Sequence, residues 1–319
     1  MTGVMAPARP AWVPGELYPF TDRYVEIDGN LVHYVDEGVG PPLLLLHGNP
    51  SWSFGYREVI RLLADEFRCV AVDYPGFGLS TAHADYDFRP LSHARVVEAF
   101  VERLGLDGVA VFGYDWGGPI GLWFAGRRPA RIRALVIGNT WAWPATERRL
   151  RLFSSLLGGP LAPLLVDRLN LFVNVFLPGG VKRRKLGKQE LAAYRGPFPP
   201  GHRTPMRVFP REIVASRPFL EEVEAGLERL ADKPILILWA DRDPAFREPE
   251  RARFEAVFPR HRTVILRGAG HEVAEDAPEE VAGAIHDWWI EVVEGLRGDR
   301  ADGADVAGPE RPTEVASRT

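Results

Sequence analysis

The chain has 319 residues, with 39 basic and 43 acidic side chains and a net charge of −4. That length holds one large domain or two small ones, and it buries a core without disulfides or structural metal. The charge balance excludes a chain-wide basic field for nucleic acid, and the 46% hydrophobic and 26% charged fractions exclude disorder throughout.

The single cysteine, Cys69, excludes an internal disulfide and any site built from several thiolates, and it fits a reducing compartment. The N-terminus MTGVMAPARPAWVPGE lacks the apolar run of a secretory signal. Apolar runs such as Leu43–Leu46 are far short of the ~20 residues of a membrane span. A cytoplasmic protein that engages neither membrane nor nucleic acid is expected. Its nine tryptophans exceed what core packing asks for.

After an N-terminal extension (1–20), Arg23–Ile27 and Leu31–Glu37 flank Asp28-Gly29-Asn30, a hairpin signal. Leu43–Leu46, Cys69–Val72, Val109–Phe112, Ala134–Ile137, Ile235–Trp239 and Thr263–Leu266 are short apolar runs that read as buried parallel strands. Helical patterns lie between them at 54–65, 93–104, 117–127, 248–257 and 277–294. This alternation predicts an α/β fold with a doubly wound, mostly parallel eight-stranded sheet and an antiparallel hairpin at its start.

The alternation breaks over 141–217. Helical apolar runs (Leu150–Leu157, Leu161–Phe176), many prolines and the cluster Lys182-Arg183-Arg184-Lys185 predict a helical cap inserted after the sixth strand. The basic cluster reads as a solvated helix end. The main domain then comprises 21–140 and 218–297. Residues 298–319, rich in Gly, Ala, Asp and Pro, read as a disordered tail.

Gly113-Tyr114-Asp115-Trp116-Gly117 follows a strand run and precedes a helical pattern. This is the layout of a nucleophile elbow, with aspartate where serine is usual. Small residues at 113, 117 and 118 permit the tight turn that lifts the central side chain over the sheet edge. Taken alone, Asp115 also fits a helix N-cap. Three more groups sit just past predicted strand ends: His47-Gly48-Asn49-Pro50, Asp241-Arg242-Asp243-Pro244, and His271 in Gly268-Ala269-Gly270-His271. Catalytic groups of a parallel sheet gather at that edge. The order nucleophile, acid, histidine is that of the α/β-hydrolase fold. In that fold the loop after the third strand and the residue after the nucleophile each supply one oxyanion-hole N–H, here Asn49 and Trp116.

An aspartate nucleophile dictates the chemistry. A carboxylate is already ionised at pH 7 and needs no base to attack. It suits an sp³ carbon bearing a leaving group, and the product is an ester to the enzyme. His271 is needed afterwards, to activate water against that ester. This points to carbon–halogen or epoxide hydrolysis rather than ordinary ester cleavage, with no metal or cofactor.

HGNPSWSFGYR (47–57), DYPGFGLS (73–80), GYDWGGPIG (113–121), AYRGPFPP (193–200), RTPMRVFPREI (203–213), WADRDPAF (239–246) and GAGHEVAED (268–276) together resemble the haloalkane dehalogenase family. The resemblance spans about 45–290 and includes cap segments that α/β hydrolases at large do not share. It implies conversion of a small halogenated aliphatic substrate and water to a primary alcohol and halide. It also implies a halide site made by the indole N–H of Trp116 and the side chain of Asn49. A buried anion requires such donors.

One subfamily carries a glutamate after strand six. Here Gly138-Asn139-Thr140-Trp141 offers no carboxylate, so the acid follows strand seven, where Asp243 matches the family position and Asp241 competes. This combination resembles the third dehalogenase subfamily, some members of which form large oligomers; the oligomeric state is left open. Phe153, Phe172, Phe176, Val208 and Val273 are the expected pocket lining. Epoxide hydrolases share the triad and loop but activate the epoxide oxygen with cap tyrosines, and Tyr194 is the one tyrosine in the predicted cap. Asp115 disfavours a serine-type esterase. Trp116, where arginine would stand, disfavours a fluoroacetate-type dehalogenase. The complete set Asp115, Asp243 and His271 disfavours a non-catalytic binding protein.

Overall fold

A strand apolar at every position is stable only where helices cover both faces of its sheet. In the computed structural model, which describes residues 7–295, Leu43–Leu46 of β3 (Pro42–Leu46) are wholly buried inside an eight-stranded sheet. In spatial order the sheet runs β1 (Arg23–Ile27), β2 (Asn30–Glu37), β4 (Arg68–Val72), β3, β5 (Val109–Gly113), β6 (Ile132–Ile137), β7 (Ile235–Ala240) and β8 (His261–Leu266). β2 is antiparallel to both neighbours, and the remaining pairs are parallel. Each expected strand is present, most of them slightly longer than its apolar run.

The helices are α1 (Arg57–Leu63), α2 (Pro90–Arg103), α3 (Gly117–Arg127), α4 (Arg148–Leu157), α5 (Leu177–Gly180), α6 (Lys188–Arg195), α7 (Thr204–Ala215), α8 (Arg217–Leu227), α9 (Glu248–Val257), α10 (Val273–Asp276) and α11 (Pro278–Trp288). α3 packs against α2 and α8 and is buried from Gly117 to Gly126. The strand order reverses at β3, which has β4 on one side and β5 on the other. Open α/β sheets bind ligands in the crevice at the carboxyl ends of strands at such a switch point.

Between β6 and β7 the chain leaves the sheet to form α4–α7, with α4 packed on α7. Two expectations are corrected here. Leu161–Phe176 is not one helical run: the π-helical stretches Pro163–Arg168 and Phe172–Phe176 are interrupted at Asn170, whose φ of +49° cannot continue a right-handed helix. The Lys182–Lys185 cluster is exposed, as a solvated run should be, but it does not end a helix. It lies in the loop between α5 and α6, where Arg183 pairs with Glu280 and Arg184 with Glu190 and Glu275. Carboxylates distant in sequence decide that, and local composition cannot show them. The tail expected at 298–319 lies outside the described residues. Among the described residues no helix is long and apolar enough to cross a membrane.

Candidate active site

Between β5 and α3 the chain turns on Asp115, at a φ of +48°. The turn is closed by hydrogen bonds from the Asp115 N–H to the Asn139 carbonyl (2.9 Å) and from the Gly117 N–H to the Tyr114 carbonyl (2.8 Å). Glycine is required at 117, because a Cβ there would lie 2.0 Å from the Leu46 carbonyl oxygen. A left-handed non-glycine residue persists where its surroundings over-determine it, and such residues cluster at functional sites.

The turn lifts the Asp115 carboxylate towards the loop after β3. The Asn49 N–H donates to Oδ2 at 2.8 Å, and the nearby Trp116 N–H also favours the charged carboxylate. Oδ1 lies 3.8 Å from Nε2 of His271. Burial pushes Asp115 above the usual carboxylate range, against the pull of His271 and the two N–H donors. His47 holds the loop from below: its ring accepts the Tyr74 N–H at 3.2 Å, and burial pushes it down to about 4, so it stays neutral.

Nδ1 of His271 lies 2.9 Å from Oδ2 of Asp243, and the other oxygen of Asp243 accepts the Ala245 N–H at 2.6 Å. Asp241 does not reach the imidazole. Its carboxylate accepts the Gly268 N–H at 2.6 Å and braces the turn that leads to His271. Burial opposes a charge on His271, but Asp243 first, then Asp115 and Glu272, overcome it and push the ring up to about 10.

These groups face a cavity of about 500 Å³. An aromatic arc forms part of its wall. Trp116 meets Trp141 edge-on at 4.7 Å, Trp141 stacks on Phe246 at 5.1 Å, and Phe246 stacks on His271 at 5.8 Å. Phe153, Phe172 and Phe176 line the cavity; Val208 and Val273 do not. Pro210 and Ile213, three residues apart, present the cavity-facing side of α7, and Val208 falls on another face. Val273 is buried against Gly138 instead. The Trp116 indole N–H makes no hydrogen bond to the described residues. The Asn49 side-chain amide donates to the Met206 carbonyl at 3.3 Å, and its second N–H remains free of protein partners.

Reading the sequence for a triad passes over Glu272. An acidic residue in a loop is ordinarily solvated, yet this one is buried and lines the same cavity. Its Oε2 accepts the Tyr114 hydroxyl at 2.9 Å. Behind it, Glu275 is bonded to Arg57 (2.5 and 2.8 Å) and to the Tyr194 hydroxyl (2.5 Å). The only signal in the sequence is the acidic run that follows His271. Among the described residues no cluster of three His, Cys, Asp or Glu side chains is arranged to hold a metal ion.

The chain matches the alpha/beta hydrolase fold family over residues 41–278. It is 42% identical to haloalkane dehalogenase 2 of Mycobacterium tuberculosis over 273 residues, covering 85% of this chain and 95% of that protein. It is 32% identical to a cis-3-alkyl-4-alkyloxetan-2-one decarboxylase of Shewanella oneidensis, over 83% of this chain and 87% of that one. Among solved structures, an ancestral haloalkane dehalogenase superposes with a TM-score of 0.78 at 30% identity, covering 86% of this chain and 99% of that one. An α/β-hydrolase match over most of the chain, joined to this identity and coverage, establishes that the chain belongs to the haloalkane dehalogenase family.

Proposed function

We propose that this hydrolase removes halide from haloalkanes through an ester on Asp115. The observation that carries the reading is the asymmetry of that carboxylate. Oδ2 accepts the Asn49 N–H at 2.8 Å, while Oδ1 accepts no hydrogen bond from the described residues and lies 3.8 Å from Nε2 of His271. Oδ1 attacks the halogen-bearing carbon, the carbon–halogen bond breaks, and halide leaves towards the Trp116 indole N–H and the Asn49 amide. Oδ2 becomes the ester carbonyl oxygen and is already seated where negative charge develops when water attacks. His271, oriented by Asp243, takes one proton from that water and returns it to the departing alkoxide, so the alcohol leaves; the second water hydrogen, left on the regenerated Asp115 carboxyl, passes to His271. Alkylation also removes the charge on Asp115 that helps to hold a proton on His271, so the base is released when it is needed.

Single turnover in ¹⁸O-water tests this. The label is expected in the Asp115 side chain, read by peptide mass spectrometry. Label entering the alcohol directly in the first turnover would refute the ester.

Epoxide hydrolysis is not favoured, because it needs a hydroxyl donor facing the cavity. The Tyr194 hydroxyl is bonded to Glu275 and the Tyr114 hydroxyl to Glu272, and neither tyrosine lines the cavity. The Shewanella relative supports a second substrate class, four-membered lactones. In an oxetan-2-one the ring C–O bond joins an sp³ carbon to a carboxylate leaving group, so Asp115 could open it from the same position. Loss of carbon dioxide from the adjacent carbon would then expel Asp115 and form an alkene. Assaying alkene release from a cis-dialkyl lactone beside halide release from 1-bromobutane separates the two.

A further inference from the structure

Haloalkane hydrolysis produces one alcohol, one halide and one proton. On the reading above, one hydrogen of the attacking water leaves in the alcohol and the other ends on His271. That proton must depart before the next ester can be hydrolysed. Nδ1 of His271 is occupied by Asp243, and Nε2 faces Asp115 and the cavity. The acceptor must therefore reach the imidazole from the cavity side.

Three buried carboxylates follow His271 within one short segment. Asp276 is saturated by the backbone N–H groups of Gly270, Lys182 and Arg183. Glu275 is saturated by Arg57, Arg184 and Tyr194. Glu272 alone of the three lines the cavity. Its Oε2 accepts the Tyr114 hydroxyl, and its Oε1 takes no hydrogen bond from any described residue. Among the described residues no arginine or lysine pairs with it. We propose that Glu272 is the proton acceptor for His271, taking the product proton once alkylation of Asp115 has loosened it from the imidazole and passing it to solvent. The His271 N–H bond breaks, the Glu272 O–H bond forms, and that bond is then lost to bulk water.

The surroundings suit an acceptor that reloads near neutrality. Burial pushes Glu272 up to about 7; Asp115 and Glu275 push in the same direction, and His271 and the Tyr114 hydroxyl pull against them. The Tyr56 and Tyr194 hydroxyls complete the titratable groups that sense it. Glu272 must be ionised to accept, so turnover falls as pH drops through that value.

Glu272→Gln keeps the shape and an acceptor for Tyr114 but cannot take a proton. Halide release from 1,2-dibromoethane is followed in the burst and in the steady state, at low and high buffer concentration. The variant is expected to keep a burst of one halide per site. Its kcat at pH 7 should fall about tenfold or more and then rise with buffer concentration, as small external bases replace Glu272. The unaltered protein should be independent of buffer. Tyr114→Phe removes a bond that favours the ionised carboxylate, so the acid limb of kcat should move to higher pH. A buffer-independent Glu272→Gln enzyme with unaltered kcat would overturn the proposal, as would an unmoved acid limb in Tyr114→Phe. Loss of the burst in Glu272→Gln would overturn it too, by showing that Glu272 only shapes the Asp115 site. Failure of the aspartyl-ester reading shows itself differently, as the lack of ester in the unaltered protein.

Discussion

Asn49 and Asp115, 66 positions apart, meet through one hydrogen bond of 2.8 Å from the Asn49 N–H to Oδ2. That bond makes the two oxygens of one carboxylate unequal. On the proposed reading, that N–H is an oxyanion donor already in place before substrate arrives, so it needs no reorganisation when charge develops. The expected outcomes below follow from this asymmetry and from the buried charges around it.

His271→Ala should release about one equivalent of halide per enzyme and then stop. Attack by Asp115 needs no base, but hydrolysis of the ester does. Intact-protein mass should show the trapped alkyl group. Steady halide release by this variant would remove His271 from the hydrolytic step.

Asp243→Asn and Asp241→Asn should differ sharply. Asp243 lies against the imidazole, and Asp241 braces a backbone N–H. Losing the orienting carboxylate is expected to slow ester hydrolysis by a factor on the order of 10⁴, with the halide burst retained. Asp241→Asn keeps an oxygen acceptor for Gly268 and should alter kcat little. Equal losses in the two variants would reverse the assignment.

Trp116→Phe keeps the ring against Trp141 but deletes the indole N–H. A hydrogen bond to a charged group contributes about 1.5–3 kcal/mol, so carbon–halogen cleavage should slow roughly 10- to 100-fold. Single-turnover stopped-flow measures that step. Asn49→Ala should act on the same step, and an unchanged rate in both would remove the pair from the halide site.

Glu275→Ala should destabilise the fold by about 1.5–3 kcal/mol, because Arg57, only 2% exposed, loses both of its bonds to Glu275 and keeps Glu190 as its remaining close carboxylate. Arg57→Met combined with Glu275→Leu should cost much less, since both charges are removed together. Urea denaturation of the two variants makes the comparison. Equal costs would show that the pair is not what stabilises this junction.

His33 gives a pH-dependent term away from the active site. Its ring lies 2.8 Å from Asp73 and 3.2 Å from Asp22. Burial alone would lower its pKa, but the two aspartates outweigh burial and raise it. The stabilisation is therefore complete below the ordinary histidine value of about 6.5 and is lost as pH rises through the raised one. His33→Gln should cost more stability at pH 6 than at pH 9. Equal costs would mean that the ring carries no charge in the folded state.

The sheet was legible because strands buried on both faces have no other stable home, so apolar composition alone marks β3, β5, β6 and β7. Asp115, His271 and the loop carrying Asn49 were legible because glycine-rich turns after such strands project side chains to one edge. The cap helices were legible as helical in general, yet Asn170 and the Lys182–Lys185 cluster defied local reading. The conformation of the first and the partners of the second depend on contacts with distant residues.

The sequence by itself determined the fold class and placed Asp115 and His271 in turns at the sheet edge, because each rests on local pattern: alternation, turn chemistry and residue type. Only the tertiary structure shows that Asp243 bonds the His271 imidazole while Asp241 bonds the Gly268 N–H, because hydrogen bonding distinguishes two carboxylates that composition cannot. It also decided which faces of the cap helices line the cavity, and it drew Glu272 out of solvent into that cavity. Burial and charge neighbourhood are properties of packing, and packing joins residues that the chain keeps far apart.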